Sequence, residues 1–302
     1  MKTHLKSKHM NLQSAMEYLM TYGWAILIIA VVLGALFQLG VFNPMTFAPK
    51  APPGACQVFR PNGPGTTQFI NLEGVCSGEM PQYVASFSDA QQSIINLGNT
   101  IPASLTTTAT YIVWVKFQNS PTSGWPWIVG ASNLRLYLNP GATMNVSGSA
   151  TIGTTVYYTA GFLLPSFNTW NQFALVFNGS STTGHVLNEY MNGIPLPNWA
   201  GVTGSLSPTT NDLYIGPEYG IQTVPLNEYI SNVQIYNTSL SANEIQALYL
   251  EGIGGAPIDL QHLVGWWPLN GNANDYSGNG NNGQINGGLT FVSNWYSGYT
   301  PP

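Results

Sequence analysis

The chain holds twelve carboxylates, and their spacing decides what chemistry they can support. Retaining glycosidases need two carboxyl groups about 5–5.5 Å apart. On one strand face that demands a pattern such as E-x-D or E-x-D-x-x-E, and no such run occurs. Glu189 stands alone on its stretch LNEYM, while Glu218, Glu228, Glu244 and Glu251 fall in expected turns or on an expected helix. No G-x-S-x-G elbow, phosphate-binding loop or H-E-x-x-H motif is present. His185 and His262 are isolated and read as surface or internally satisfied histidines. The residue types therefore point away from catalysis.

Binding chemistry has better candidates. The stretch NGNANDYSGNGNN (Asn270–Asn282) could offer carbonyls and the Asp275 carboxylate to a calcium ion, although Asn and Gly are also ordinary turn formers. Eight tryptophans lie in the body, and an exposed indole face stacks well on a sugar ring. Trp114, Trp170 and one of Trp266 and Trp267 sit on strands and read as core. Trp125, Trp127 and Trp199 sit beside Pro and Gly at strand ends or in loops, so they are the expected ligand contacts. Asn145, Asn178 and Asn237 head glycosylation sequons.

These residues must be positioned by a chain with an uneven layout. Only 6% of residues are charged, against 33 Gly and 21 Pro, a turn-rich β profile of extracellular type. Lys2, Lys6 and Lys8 precede an apolar run. From Gln13 onward four basic residues face twelve acidic ones, a balance of −8. Such a body has no footprint for nucleic acid. Leu19 to Phe42 carries no charge and is long enough to cross a ~30 Å hydrocarbon core as a helix. The positive leader keeps that end cytoplasmic and sends the body outward. Pro44 ends the helix. A Pro- and Gly-rich neck over 43–81 follows, containing Cys56 and Cys76. A disulfide between them is the favoured reading, adding about 3 kcal/mol in the chain-entropy model; two free thiols are the alternative.

Beyond the neck, short β runs recur between turn clusters: YIVWVKF, WIVGA, LRLYL, VYYTAGF, FALVF, LNEYM, LYIG and YISNVQIY. Several alternate apolar and polar, as antiparallel strands do when one face is buried. Asn192-Gly193 predicts a type I′ hairpin. Ser241-x-x-Glu244 predicts a capped helix with Ile245, Leu248 and Tyr249 on one face and Gly252 at its end. The fold class expected is mainly β: an N-terminal transmembrane or filament helix, then an antiparallel jelly-roll sandwich.

Two resemblances sharpen this. Gln13, Ser14, Glu17 and the run to Leu27 resemble the class III signal peptide of archaeal type IV pilin-like proteins. That likeness implies cleavage of a 1–12 leader by a prepilin peptidase, leaving Gln13 as a new terminus. Glu17 then needs a partner near the bilayer, and the amine of Gln13 on a neighbouring subunit is one. Leu12 departs from the Gly or Ala usual before the cut, and an uncleaved single-span anchor remains the alternative. In the body, TYIVWVKF, TWNQFALVFNG, NEYMNGIPL and YNTSLSANEIQALY resemble, in order, the laminin-G-like, concanavalin A-like jelly-roll family over about Gln82 to Leu250. That family often binds calcium near one sheet edge. LVGWWPLNGNANDYSGNGNNGQINGG (Leu263–Gly288) resembles its opening strands, displaced to the C-terminus. A circular permutation is the preferred reading, with 263–302 completing one 82–302 domain. A truncated second domain and donation to a neighbouring subunit are the alternatives.

The function these readings imply is a cell-surface, pilin-like filament subunit whose lectin-like head serves adhesion. Its partners would be copies of itself, membrane lipid and carbohydrate. A monomeric anchored lectin and a purely structural filament coat stand beside it.

Overall fold

The computed structural model describes residues 20, 22–34, 80–88, 92–120, 124–140, 144–181, 186–196, 203–216 and 227–302, and the backbone of 56–58 and 70–72. The chain divides into two units, Met1–Pro52 and Pro53–Pro302. In the first, residues 22–34 are helical, about 20 Å at 1.5 Å per residue. Among the described residues no helix is long and apolar enough to cross a membrane, so a span over 13–42 is not seen as such. The described helix nonetheless leaves Trp24, Ile26, Ile28, Ile29, Val31 and Leu33 exposed. Leu12, Gln13 and Glu17 lie outside the described residues.

In the second unit β1 (Cys56–Val58) and β2 (Ile70–Leu72) pair antiparallel, with Cys56 opposite Leu72. The Cys56 side chain and all of Cys76 lie outside the described residues, so the expected disulfide does too.

The rest is a two-sheet antiparallel sandwich. Sheet I holds β4 (Ile94–Asn96), β6 (Trp127–Ala131), β7 (Leu134–Asn139), β8 (Asn145–Ile152), β9 (Thr155–Tyr158), β10 (Phe162–Leu163), β14 (Tyr214–Ile215) and β17 (Gln284–Asn286), in the order β10-β8-β7-β6-β14-β4-β17 with β9 also on β8. Sheet II holds β3 (Val84–Ser88), β5 (Thr108–Phe117), β11 (Asn171–Asn178), β12 (Leu187–Met191), β13 (Ile194–Pro195), β15 (Asn227–Tyr236), β16 (Leu263–Trp267) and β18 (Thr290–Val292), in the order β13-β12-β11-β5-β15-β3-β18 with β16 also on β15.

Period-two alternation explains which side chains meet between the sheets. Tyr111, Val113 and Val115 of β5, Phe173, Leu175 and Phe177 of β11, and Leu134, Leu136 and Leu138 of β7 join one core. The opposite faces differ. On sheet II several outward residues of β5 and β11 are also apolar, and Ile112, Ala174 and Val176 pack under Ile245 and Leu248 of the helix Ala242–Leu250. That helix begins as expected, with Ser241 and Glu244 forming a complete capping box, and it ends at Gly252 with φ +79°. The β12–β13 turn is also as expected: Asn192 and Gly193 have φ +52° and +77°, the mirror-image turn that suits strand twist.

The C-terminal residues enter both sheets. β3 pairs Asn227–Ile230 of β15, and β16 pairs Val233–Tyr236 along the same edge. LVGWW thus fills the edge that YISNVQIY leaves open beyond β3, in the same chain. β17 then pairs β4 in sheet I, and β18 pairs β3 in sheet II. One expected strand is broken. VYYTAGF divides into β9 and β10, because both pair with β8 at different ends and Gly161 turns between them with φ +80°.

Candidate functional site

The open face of sheet I carries a groove of about 750 Å³. Its floor follows from the alternation of β7. Leu134, Leu136 and Leu138 face the core, so Arg135, Tyr137 and Asn139 face out. Ser147 of β8 lies opposite Tyr137 in the register. Trp127 of β6 also lines the groove, and the Arg135 guanidinium sits 5.0 Å from its ring centroid. Arg135 Nη1 donates to the Ser132 carbonyl at 3.1 Å. Tyr158, half-exposed at the end of β9, meets Tyr137 edge-on at 6.5 Å. Trp125 forms the rim with 68% of its surface exposed.

Close backbone approach sets this geometry. Gly130 pairs with Arg135, and a Cβ at 130 would lie 2.4 Å from the Arg135 Cβ and 2.6 Å from the Leu134 carbonyl. Only glycine lets β6 and β7 approach so closely at φ +153°.

Beneath the groove lies Glu189. Thr159, which lines the groove, hydrogen-bonds the Glu189 carboxyl and also accepts from the Gly148 N–H at 2.7 Å. Glu189 is 1% exposed. Burial pushes its carboxyl up to about 8, the Thr159 hydrogen bond opposing. Glu228 is a correction to the sequence reading: it lies in β15, not in a turn, and is fully buried. Among the described residues neither of its oxygens has a hydrogen-bond partner, and burial raises it well above the carboxylate range.

These two acids cannot form a glycosidase pair. In the register Glu189 is level with Leu175, Tyr111 and Ile235. Three strand spacings separate β12 from β15, about 14 Å. Glu228 lies a further seven residues along β15, roughly 20 Å. Among the described residues, no Asp or Glu lines the groove.

The other expected site residues are placed as follows. Trp125 and Trp127 come together in the groove, whereas Trp199 lies outside the described residues. Trp114, Trp170 and Trp267 are buried, and half-buried Trp266 donates to Asn232 Oδ1. Asn237 is exposed; Asn145 and Asn178 are half-buried, and the Asn145 amide donates to the Ala160 carbonyl. The Asp275 carboxylate is already committed. Its Oδ1 accepts from the N–H groups of Trp266 and Ser277, and its Oδ2 from Ser277 Oγ and the Asn281 N–H. Four donors on two oxygens leave a poor calcium ligand. Among the described residues no three His, Cys, Asp or Glu cluster to hold a metal. Arg135, Tyr137, Ser147, Tyr158 and Thr159 were not expected in a site. The alternation of LRLYL, which puts Arg135 and Tyr137 on one face, was the readable signal.

A family model described as the concanavalin A-like lectin/glucanases superfamily, of laminin G type, matches residues 89–246. The chain belongs to that superfamily. Residues 263–302 lie beyond the match and complete its sheets. No curated protein matches the sequence. Among solved structures, a Bacteroides ovatus protein assigned as carbohydrate-binding is similar, with TM-score 0.54 and 17% identity over 76% of this chain. The match spans 64% of that protein's length. A heptameric SAP-like pentraxin from Limulus polyphemus gives TM-score 0.45 and 13% identity, covering 70% of this chain and 94% of its own.

Proposed function

We propose that the sandwich is a non-catalytic carbohydrate-binding head, displayed outside the cell and held there by the apolar N-terminal segment. One observation carries this reading: among the described residues, Trp125, Trp127, Tyr137 and Tyr158 line a groove that also presents hydroxyl and amide groups on the outer face of sheet I. Apolar walls with a few polar groups are the usual composition of a small-ligand site, and pyranose rings offer matching apolar faces and hydroxyl edges. The carbohydrate-binding assignment of the Bacteroides ovatus protein is in keeping with it. The test is a glycan array probed with the chain and with Trp125→Ala. Signals on defined glycans that the variant loses support the reading; a blank array for the parent chain refutes it.

A second reading adds assembly. The large apolar side chains of the 22–34 helix are exposed, and such a helix needs lipid or other copies around it. With the Gln13 and Glu17 spacing, this supports a pilin-like filament subunit cut after Leu12. Terminal sequencing of the native protein decides it: a chain starting at Gln13 supports the filament, and one retaining residues 1–12 sinks it.

A further inference from the structure

We infer that the groove takes an anionic saccharide, one bearing a carboxylate or sulfate, with Arg135 as its counter-charge. This rests on the carbohydrate-binding reading and names the class of sugar.

The argument starts from scarcity. From Gln13 onward the chain has only Lys50, Arg60, Lys116 and Arg135 as fixed cations. Lys50 and Arg60 lie outside the described residues. Lys116 is buried, its ammonium donating to the carbonyls of Trp295 and Ser297. Arg135 remains, and it lines the groove. An acidic body carries its one described accessible cation where a ligand would sit.

Among the described residues that cation has no counter-ion: the single ion pair joins His262 and Asp259, and no described residue lining the groove carries a carboxylate. One guanidinium N–H is spent on Ser132. The others keep the fork geometry that suits a carboxylate or sulfate. The Trp127 ring beside the guanidinium and the Ser132 carbonyl restrain Arg135 before any ligand arrives, which lowers the ordering cost of binding. Burial raises the carboxyl of Glu189, the acid behind Thr159, to about 8, so at pH 7 it is mainly protonated and sets little opposing charge under the groove. A neutral sugar would leave the guanidinium desolvated and unpaired, which is unfavourable.

The test pairs each uronate, sialylated and sulfated glycan on an array with its neutral parent, using the full chain, Arg135→Gln and Arg135→Lys. Oligogalacturonate against its methyl ester is the cleanest pair, since the ester removes the charge and adds only a methyl group. The parent chain is expected to favour the acidic member of at least one pair by tenfold or more, less so as salt rises. Arg135→Gln should erase that preference while Arg135→Lys retains part of it. Equal binding to acidic and neutral members by the parent chain overturns the inference and leaves the carbohydrate reading standing. No binding to any glycan overturns both. The comparison within the parent chain decides the matter even if a variant fails to fold.

Discussion

Replacing Glu189 by glutamine tests the buried floor of the groove directly. The ordinary value of a glutamate is 4.5, and burial raises this one to about 8. The folded chain therefore holds the proton more tightly than the unfolded chain, and between those values the native state binds more protons. The stability this contributes is complete below pH 4.5 and is lost as pH rises toward 8. At about 1.4 kcal/mol per pH unit, the loss between pH 5 and pH 7 is about 2.5 kcal/mol. Glu189→Gln keeps the shape and a carbonyl for Thr159 but cannot titrate. Its buried amide has a cost of its own, which is independent of pH and cancels in the comparison. Glu228 is present in both chains and also cancels. Urea unfolding at pH 5, 6 and 7, followed by the fluorescence of buried Trp114, Trp267 and Trp295, should show the variant gaining about 2.5 kcal/mol on the parent across that range. Parallel pH profiles would mean that Glu189 ionises where it lies, and the account of a neutral floor would fall.

Gly130→Ala should cost at least about 1–3 kcal/mol, because the added Cβ meets backbone rather than a yielding side-chain end. Since it pushes β6 from Arg135, it should also weaken glycan binding, read by denaturation and by titration together. Trp295→Ala should cost about 3–5 kcal/mol, the usual range for a fully buried tryptophan, visible as a lower urea midpoint. Asp275→Ala removes four hydrogen bonds from one loop, and the destabilisation should be the same with calcium as with a chelator. A loss seen only with calcium would restore Asp275 as a ligand.

The β pattern was legible wherever alternation or turn chemistry spoke locally. β6 and β12 match WIVGA and LNEYM end to end, and Ser241 caps its helix as its spacing demands. β8 was missed because NVSGSATI has the composition of a turn. It is a strand because the small residue is wanted: a Cβ at Gly148 would lie 2.2 Å from Leu175 Cδ1 across the sandwich. Glu228 was missed for the opposite reason, since a carboxylate at a strand start reads as solvated while the fold buries it opposite Phe87 and Phe117. Trp125 and Trp127 announced themselves by their neighbours. Tyr158 and Thr159 did not, because β8 was missed, and with it the tight hairpin through Gly153 that lays β9 against it and brings them to the groove.

Which face of the sandwich can recognise anything follows from the side chains that alternate outward. On sheet II those of β5 include Ile112 and Trp114, too apolar to face water, so the fold must cover them. The helix Ala242–Leu250 covers one end. The C-terminal tail covers the other: Trp295 packs with Trp114 and Trp170 and reaches the Pro81 carbonyl, and Trp170 Nε1 donates to the Trp295 carbonyl. Lys116, on the same face, fits beneath that tail without a carboxylate, because two carbonyls and the rings of Trp170 and Tyr229 surround its ammonium. On sheet I the outward residues of β7 are Arg135, Tyr137 and Asn139, all with polar groups, and they line the groove. Among the described residues, the helix and the C-terminal tail thus cover the outer face of sheet II and leave a groove on that of sheet I.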